Sequence, residues 1–279
     1  MRSALMILFV FGTMADPWAS AATYYVDVKY PNGNSDGTST KPWTNMGPAA
    51  VAFTNGSDHT IMVAAGAYLA TNNAGGYEAF GGNGYTVIPA SGNFAGIWKG
   101  GYRGWDGGSF DWSEASRVFP STNVNTSTMT VIDLTNANSR AFRGVDMSRD
   151  TLTVAFDGFV FRNSRVTQPG YDGGALAVGS RFAGNATTAP NVLNCVFLNN
   201  RTTGDGGALW HSARFGLSSN LWFIGNHADT NGGAAFLTAG NLSRTVSNIV
   251  CIGNYAGARG GAIAAAVDLA MGVGTLIDN

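Results

Sequence analysis

The sequence predicts an all-β fold: a right-handed parallel β-helix (a solenoid) with an N-terminal cap strand and short helix. Three observations predict it. One motif recurs with a period of roughly 27 residues over 157–279. Short, apolar, β-favouring segments precede each copy of the motif. Glycine supplies 39 of the 279 residues, which suits many turns and disfavours helical repeats. The right hand of the coil is the hand expected of parallel connections.

The repeated motif combines an aromatic residue or cysteine, an asparagine and a glycine pair, in that order. The three strict copies hold Phe197, Asn200, Gly206 and Gly207, then Phe223, Asn226, Gly232 and Gly233, and then Cys251, Asn254, Gly260 and Gly261. A looser first copy has Phe161, Gly173 and Gly174, with Ser164 where Asn is expected. Because the strict copies keep one register, we interpret them as successive turns of one stack.

Each motif position has a physical reason. Apolar runs such as Leu193–Phe197 are predicted as strands. Asn turns the chain because it tolerates left-handed backbone geometry, and stacked Asn side chains can form a ladder. The glycine pair makes a second bend that side chains would obstruct. We therefore expect Phe197, Phe223 and Cys251 in one inward column, with the asparagines in a parallel column at the turn.

Residues 1–21 are predicted as a signal peptide. Arg2 precedes a short apolar run, and Ala19–Ala21 supplies the small residues of a cleavage site. The run is too short to span a bilayer permanently, and no later segment is apolar enough for a transmembrane helix. The mature chain is therefore expected to be exported to the cell surface, the outer membrane or the medium.

The mature chain is predicted to have two parts. Residues 22–70 are expected to form the N-terminal cap and first coil, with an entry strand near Tyr24 and a short helix at 48–53. Residues 71–279 are expected to form the β-helix, with regular repeats over 157–279. The chain stops inside a coil, which suggests a truncated sequence.

A Gly/Trp-rich excursion from the stack is predicted at about 97–128. It holds four large aromatic residues, Trp98, Tyr102, Trp105 and Trp112. Exposed, these rings would suit sugar or protein binding. The alternative is that they pack the excursion against the side of the coil.

Two resemblances follow from these segments. The region from Tyr24 to Tyr68, with its entry strand, short helix and the segments Asp58–Val63 and Ala65–Tyr68, resembles the start of exported right-handed β-helix proteins of the pectate-lyase-like superfamily, in which a strand and helix cap the coil. The Phe-x-x-Asn and Gly-Gly-Ala pairing over Phe161–Ala264 resembles the repeat of polymorphic outer membrane proteins, the chlamydial-type adhesins. The second resemblance implies a surface-displayed, adhesin-like protein. Ser164 and Cys251 depart from its pattern.

Charge and cysteine content exclude several classes. Charged residues make up 12% of the chain and the net charge is −1, so neither nucleic acid nor an acidic membrane surface is an expected partner. Cys195 and Cys251 both point inward in the repeat register, two coils apart. That is roughly 10 Å, beyond disulfide reach, so both thiols are expected to stay free.

Few residues suggest catalysis. Asp133 and Asp157 are weak candidates, since they could approach on adjacent coils as a carboxylate pair. Capping of turns is the alternative, because Asp157-Gly158 is a turn signal. The local motifs of pectate lyases and polygalacturonases are missing from the sequence. We therefore assign no catalytic residue and no cofactor.

No metal site is predicted either. The three histidines, His59, His211 and His227, lack metal-ligand spacing and are interpreted as surface or turn residues. A calcium ladder needs oxygen ligands in every turn. The position before each glycine pair does not keep an acidic residue: it holds Asp172, Asp205, Asn231 and Arg259.

The sequence thus favours an exported, non-enzymatic β-helix module with an adhesin-like or surface-interaction role. Its partner would be a polysaccharide or a surface protein of a host or neighbouring cell. The alternative is a polysaccharide-active enzyme, a lyase or a glycoside hydrolase, with its site on the side of the coil. A cluster of carboxylates and an Arg on one exposed sheet would favour the enzyme, and a smooth Thr/Ser/Asn-covered side would favour the binding module.

Overall fold

A computed structural model describes most of the chain after residue 20. The described residues are 21–31, 33–54, 58–69, 85–86, 94–135, 137–146, 152–169, 171–180, 191–212, 217–238, 245–266, 270–271, 274–277 and 279. The predicted signal peptide lies outside them, apart from its last residue. Within the described part of the chain, no helix is both long and apolar enough to cross a bilayer.

The described residues form one α-helix, one short 3-10 helix and many short strands. The helices are α1 (Met46–Thr54) and the 3-10 turn Glu114–Ser116. In chain order the strands are β1 (Thr23–Val26), β2 (His59–Ala64), β3 (Gly66–Leu69), β4 (Tyr85–Thr86), β5 (Phe94–Tyr102), β6 (Gly104–Trp105), β7 (Phe110–Asp111), β8 (Thr130–Asp133), β9 (Phe142–Asp146), β10 (Leu152–Asp157), β11 (Phe159–Arg162), β12 (Arg165–Val166), β13 (Leu176–Ser180), β14 (Asn191–Leu198), β15 (Arg201–Thr202), β16 (Leu209–Ser212), β17 (Leu217–Ile224), β18 (His227–Ala228), β19 (Ala235–Thr238), β20 (Thr245–Ile252), β21 (Tyr255–Ala256), β22 (Ile263–Ala265), β23 (Ala270–Met271) and β24 (Gly274–Ile277).

Almost every described strand pair is parallel, and the described strands make three parallel sheets and one two-stranded antiparallel sheet, β6–β7. The long sheet has 12 strands and includes β14, β17 and β20 as neighbours. The short sheet runs β12-β15-β18-β21, and the six-stranded sheet runs β22-β19-β16-β13-β9-β4. Each regular repeat contributes one strand to the long sheet, then one to the short sheet, then one to the six-stranded sheet. The result is a curled stack of parallel strands, in which each strand pairs with its equivalents in neighbouring repeats.

The segment outside the stack is shorter than the predicted 97–128. Strand β5 continues to Tyr102 and pairs in register with β10, Trp98 lying opposite Phe156. The chain leaves the stack after Tyr102, forms the antiparallel hairpin β6–β7 and rejoins the long sheet at β8. We call residues 103–129 the excursion. The sequence suggested an earlier start because the Gly and Trp content of β5 resembles that of a loop, whereas Trp98 is fully buried in the core.

Stacked aromatic rings fill the core along the long sheet. Phe161, Phe197 and Phe223 lie in register, with ring centroids 5.2 Å and 4.9 Å apart and nearly parallel planes. Cys251 lies in the same column, opposite Phe223. All four side chains are at most 1% exposed. One inward position of every repeat therefore contributes to a single continuous core.

A buried asparagine ladder runs beside this column. Asn200 donates from both its backbone N and Nδ2 to Oδ1 of Asn226, at 3.0 Å each. Asn226 does the same to Asn254, at 3.0 and 2.9 Å, and Asn254 does the same to Asn279. Nδ2 of each ladder Asn also donates to a carbonyl of the preceding repeat, as Asn226 does to Phe197 O. In the first copy, Ser164 N donates to Asn200 Oδ1.

The turn itself is made by the residue before each ladder asparagine. Asn199, Gly225 and Gly253 have φ values of 53°, 63° and 59°, in the left-handed region. Asn200, Asn226 and Asn254 do not. The left-handed tolerance expected of these asparagines therefore belongs to their neighbours, and the ladder amide serves to bond successive repeats.

The glycine pair is required for two different reasons. The first glycine of each pair has a positive φ, from 64° at Gly260 to 73° at Gly173. At the second glycine, a Cβ would collide with backbone: on Gly207 it would overlap Gly233 O and the backbone of His227. The alanine that follows each pair is at most 4% exposed. The Gly-Gly-Ala triplet thus marks where successive repeats approach most closely.

The N-terminal elements pack onto the first strands of the long sheet. β1 pairs with β2 in parallel, and the buried side chains of α1 join the same core. Phe53 of α1 lies 5.3 Å from Trp98, centroid to centroid. The helix is longer than the predicted 48–53.

Replacing a buried ladder amide is expected to destabilise the fold strongly. Asn226→Ala leaves two donors of Asn200 and the Phe197 carbonyl without partners, so the free energy of unfolding should fall by about 3 kcal/mol. Urea denaturation followed by circular dichroism measures it. The control is Asn123→Ala on the exposed surface of the excursion, which should change the value by less than about 0.5 kcal/mol. Equal effects of the two changes would contradict the ladder.

Adding one methyl group at the glycine pair is expected to be as damaging. Gly207→Ala should lower the free energy of unfolding by about 3 kcal/mol or more, because rigid backbone of the next repeat lies where the Cβ would go. Gly108→Ala is the matched control, since nothing lies within 4 Å of a Cβ there. Thermal melts of the two variants compare them directly. A Gly207→Ala protein as stable as the control would show that the repeats are not closely packed.

Candidate functional site

The two candidate carboxylates do not meet. Asp133 lies opposite Arg162 in the register of β8 and β11, whereas Asp157 lies opposite Lys99 in the register of β5 and β10. Asp157 precedes Arg162 by five residues, which corresponds to roughly 16 Å along a strand. The expectation that Asp133 and Asp157 could form a catalytic pair on adjacent coils is therefore wrong, because they occupy different positions along the strands.

Asp157 anchors the excursion instead. Arg117, whose side chain is 4% exposed, donates from Nη1 to Asp157 Oδ2 at 3.0 Å and from Nε to Gly100 O at 2.9 Å. Asn194 Nδ2 donates to Asp157 Oδ1 at 2.7 Å. The carboxylate thus ties the excursion to the end of β10 and to the next repeat, and both its oxygens are engaged.

Glu114 completes this anchor at the surface. It accepts from Lys99 Nζ at 2.7 Å and from the Tyr102 hydroxyl at 2.6 Å, and Arg117 lies 3.3 Å away. Burial raises the pKa of Glu114, but the hydrogen bonds from Lys99 and Tyr102 outweigh it and lower the pKa to about 2. Burial also raises the pKa of Tyr102, and the Glu114 hydrogen bond adds to this effect. Glu114 therefore accepts hydrogen bonds as a carboxylate and is not poised as a general acid.

The aromatic residues near the excursion pack against the stack. Trp98 and Tyr102 are fully buried. The Trp105 ring lies 6.4 Å from the ring of Tyr30, centroid to centroid, and Trp112 Nε1 donates to Ser39 O at 3.0 Å. The Trp112 ring also lies 4.9 Å from the ring of Tyr25. These contacts agree with the packing interpretation, and none of the four rings forms an exposed platform for a ligand.

Asp133 forms a second, separate ion pair. Arg162 donates from Nε and Nη2 to Asp133 Oδ2, both at 2.8 Å, and Asn163 Nδ2 donates to Oδ1 at 3.1 Å. Thr135 donates to Oδ1 from its hydroxyl at 2.6 Å and from its backbone N at 3.0 Å. Burial raises the pKa of Asp133, but the hydrogen bonds of Thr135 and Asn163 and the charge of Arg162 outweigh it, so the pKa lies below its usual value. This carboxylate caps the turn after β8.

An open polar cleft lies next to this ion pair. Its volume is about 680 Å³, and its lining residues are Thr135, Ala137, Asn138, Asn163, Arg165 and Thr167. Asn138 Nδ2 donates to the Thr167 hydroxyl at 2.7 Å, and Thr167 N donates back to Asn138 Oδ1 at 3.0 Å. Asn163 Nδ2 donates to the Thr135 hydroxyl at 2.9 Å. The side chains are thus held in place by each other before any ligand arrives. Sequence reasoning did not find this cleft, because its residues come from two turns that meet only in the stack.

Two of the three histidines are buried in the described structure. His59 is 1% exposed and takes a hydrogen bond from Ala22 N at Nδ1, and burial lowers its pKa. His211 is also buried, whereas half-buried His227 contacts Asp229 at 2.9 Å. The surface interpretation is therefore wrong for His59 and His211. Among the described residues, no three His, Cys, Asp or Glu side chains are grouped so that they could hold a metal ion.

The column before the glycine pairs bonds one repeat to the next. Asp172 Oδ1 accepts from Asp205 N at 2.9 Å. Asp205 Oδ1 accepts from Asn231 N at 3.0 Å and from Asn231 Nδ2 at 2.8 Å. These oxygens therefore satisfy donors of the next turn and do not present an open ligand set.

Both cysteines are free and buried. Cys195 lies opposite Leu221 and Cys251 opposite Phe223, so they occupy different inward columns. Burial raises the pKa of each thiol to about 12. The thiols therefore act as small core residues and not as nucleophiles.

The outer face of the long sheet carries no charge over three strands. β14, β17 and β20 contain no Asp, Glu, Lys or Arg. One outward column of asparagines is hydrogen-bonded, Asn220 to Asn194 at 2.8 Å and Asn248 to Asn220 at 2.6 Å. Beside it lie aliphatic columns and one tryptophan. We call Val196, Leu198, Trp222, Ile224, Val250 and Ile252 the uncharged flank.

The excursion covers the beginning of the uncharged flank and leaves the rest open. Met129 and Val124 of the excursion pack over Val131, Val160 and Val196, and Val196 is only 1% exposed. In the next repeat Trp222, which lies opposite Val196, is 37% exposed. The flank is therefore neutral, but it is more aliphatic than the Thr/Ser/Asn surface expected of a binding module.

One comparison with known proteins gives a match. The Chlamydia polymorphic membrane protein repeat matches residues 194–212. This segment holds Phe197, Asn200, Gly206 and Gly207, so the similarity covers one strict copy of the motif. No curated protein and no solved structure matches the chain.

The Asp133 ion pair is expected to make stability depend on acid pH. Because its folded pKa is lowered, the ionised carboxylate stabilises the fold above its unfolded pKa, and this contribution is lost as pH falls through the folded pKa. Asp133→Asn should therefore lower the melting temperature at about pH 7, and the difference from wild type should shrink at about pH 2. Exposed Asp58→Asn is the control at each pH. A pH-independent difference would show that the charge of Asp133 is not what stabilises the turn.

Proposed function

We propose that this chain is an exported, surface-displayed module with a non-enzymatic, adhesin-like binding role. In this proposal the curled stack is a right-handed parallel β-helix of the pectate-lyase-like kind, capped by the elements within 22–70. Residues 1–21 direct export. The similarity of residues 194–212 to the repeat of a chlamydial polymorphic membrane protein supports a location at the cell surface or outer membrane.

The observation that carries the proposal is the uncharged flank. It presents aliphatic side chains and an exposed tryptophan along successive turns, next to a row of asparagine amides. Exposed, contiguous apolar surface rimmed by polar groups is typical of interaction sites. In the preceding turns the excursion packs over the equivalent outward positions, Val131, Val160 and Val196. Side chains of this kind are therefore suited to contact with another apolar surface. Two further turns remain open.

The carboxylates support binding over catalysis. Asp133 and Asp157 each have an arginine and an asparagine as partners, and they lie at different positions along the strands. An enzyme that cleaves glycosidic bonds with two carboxylates needs them within about 10 Å of each other and one of them open to the sugar. Neither condition is met by this pair.

The alternative function is a polysaccharide-active enzyme, a lyase or a glycoside hydrolase. The polar cleft favours it, because the cleft is open and lies beside an Asp–Arg ion pair. In this alternative a sugar would enter the cleft and displace part of the Asp133 network.

The test of the proposal measures display and adhesion separately. Antibodies raised against residues 22–279 should label intact cells that express the full open reading frame, which tests surface exposure. Beads coated with the purified chain should adhere to a panel of bacterial and eukaryotic cells. Trp222→Ser should reduce bead retention at least about twofold by removing the exposed indole of the flank. Tyr255→Ser is the matched control, an aromatic residue 57% exposed on the short sheet.

The enzyme alternative is tested on the same protein. Incubation with acidic polysaccharides should give no increase in ultraviolet absorbance from unsaturated sugar ends and no new reducing ends, with or without calcium. Turnover that disappears in Asp133→Asn or Asp157→Asn would overturn the adhesin proposal in favour of the enzyme. Equal loss of adhesion in Trp222→Ser and Tyr255→Ser would show that adhesion does not depend on the uncharged flank.

A further inference from the structure

Among the described residues that line the polar cleft, one charged side chain, Arg165, has no counter-ion. Arg165 is exposed at the start of β12, on the outward face of the short sheet, while its neighbour Val166 is buried. Arg165 makes no ion pair with any described residue, unlike Arg162, Arg117 and Arg201. The nearby carboxylate of Asp133 already has Arg162 as its partner. The positive charge of Arg165 is therefore available to an anion.

The rest of the lining is neutral and can both donate and accept hydrogen bonds. Thr167 accepts from Asn138, and its hydroxyl donates to no described acceptor. Asn163 Oδ1 likewise accepts from no described donor. Amides and hydroxyls of this kind match sugar hydroxyls, which also donate and accept. One guanidinium among neutral partners matches a ligand with a single carboxylate, because the planar fork of arginine binds a carboxylate through two parallel hydrogen bonds.

A free inorganic anion or a polyanion fits the cleft less well. A phosphate offers mainly acceptor oxygens, so it would leave lining acceptors such as Asn163 Oδ1 without a donor. A strongly anionic polymer would find a single unpaired guanidinium here, because Arg201, which lies opposite Arg165 in the next strand, is already paired with Asp229. The volume of about 680 Å³ is within the usual range for a small-molecule site.

We propose that the cleft lined by Asn138, Asn163, Arg165 and Thr167 binds a saccharide that carries one carboxylate, with the carboxylate on Arg165 and hydroxyls on the amides and Thr167. The site rests on the surface role proposed above and names the class of ligand that role would recognise. Binding requires no change in the Asp133 network, so it does not depend on catalysis.

The experiment titrates residues 22–279 with methyl β-glucuronoside and methyl β-glucoside, which differ only in a carboxylate against a hydroxymethyl group. Chemical-shift changes or saturation transfer in NMR report binding of each probe. The glucuronoside should bind at least about tenfold more tightly than the glucoside. Arg165→Gln should abolish this preference, and Arg165→Lys should restore it only in part, because an ammonium lacks the planar fork.

Arg103→Gln is the control, since Arg103 is also exposed but lies on the excursion, where it pairs with Asp106. It should leave the affinity for the glucuronoside unchanged. Thr167→Val should weaken the glucuronoside but not acetate, which tests the neutral partners. Melting temperatures of Arg165→Gln and Arg165→Lys should match wild type, because Arg165 contacts no described charged partner.

Four results would overturn the proposal. They are equal affinities for the two glycosides, equal losses in Arg165→Gln and Arg103→Gln, acetate binding as tight as the glucuronoside, and no binding of either glycoside. Surface labelling of intact cells is a separate measurement. If the protein is displayed on intact cells but binds neither glycoside, the saccharide site is contradicted and the proposed surface role is not.

Discussion

The structure depends on the pairing of one buried amide with the next along the stack. Each ladder asparagine offers one carbonyl oxygen that satisfies two donors of the preceding repeat, while its own Nδ2 bonds backward and forward. A buried amide without hydrogen-bond partners costs about 1–3 kcal/mol. If a repeat shifted by one residue, its ladder amide would lose these partners and its core side chains would point to solvent. The ladder therefore fixes the register of every strand that follows it, including the stacked phenylalanines.

The same logic recurs at other polar positions. The outward asparagines of the long sheet, and the column before the glycine pairs, also bond each repeat to the next. Most of the polar groups described in the stack are therefore hydrogen-bonded between successive turns. Groups that remain available lie where the repeat is broken: at the excursion, and at the turns around the looser first copy, where Ser164 replaces the ladder asparagine and the polar cleft opens.

The excursion links these irregular features. Arg117 of the excursion pairs with Asp157, and Asp157 also accepts a hydrogen bond from Asn194 in the next turn. Because Asn194 in turn accepts from Asn220, Asp157 both holds the excursion and begins the outward row of hydrogen-bonded side chains. The far end of the excursion covers Val160 and Val196. One segment therefore decides how much of the aliphatic outer face is buried and how much is left to contact other molecules.

Sequence alone determined the elements that repeat. The Phe, Asn and Gly-Gly-Ala positions carry a period because each has the same neighbours in every turn, so local pattern and tertiary contact give the same answer. The register of the repeat alone predicts the mostly β, parallel architecture and the inward placement of Phe197, Phe223 and Cys251.

Only the tertiary structure decided the features without a repeat. It showed that β5 runs to Tyr102, that His59 and His211 are buried, and that Asp133 and Asp157 have different partners. It also brought Asn138 beside Thr167 and gave Arg165 no charged partner among the residues that the structure describes. Such contacts join residues about one turn apart in the chain, and their partners depend on the exact height of each turn, which no local pattern of residues encodes.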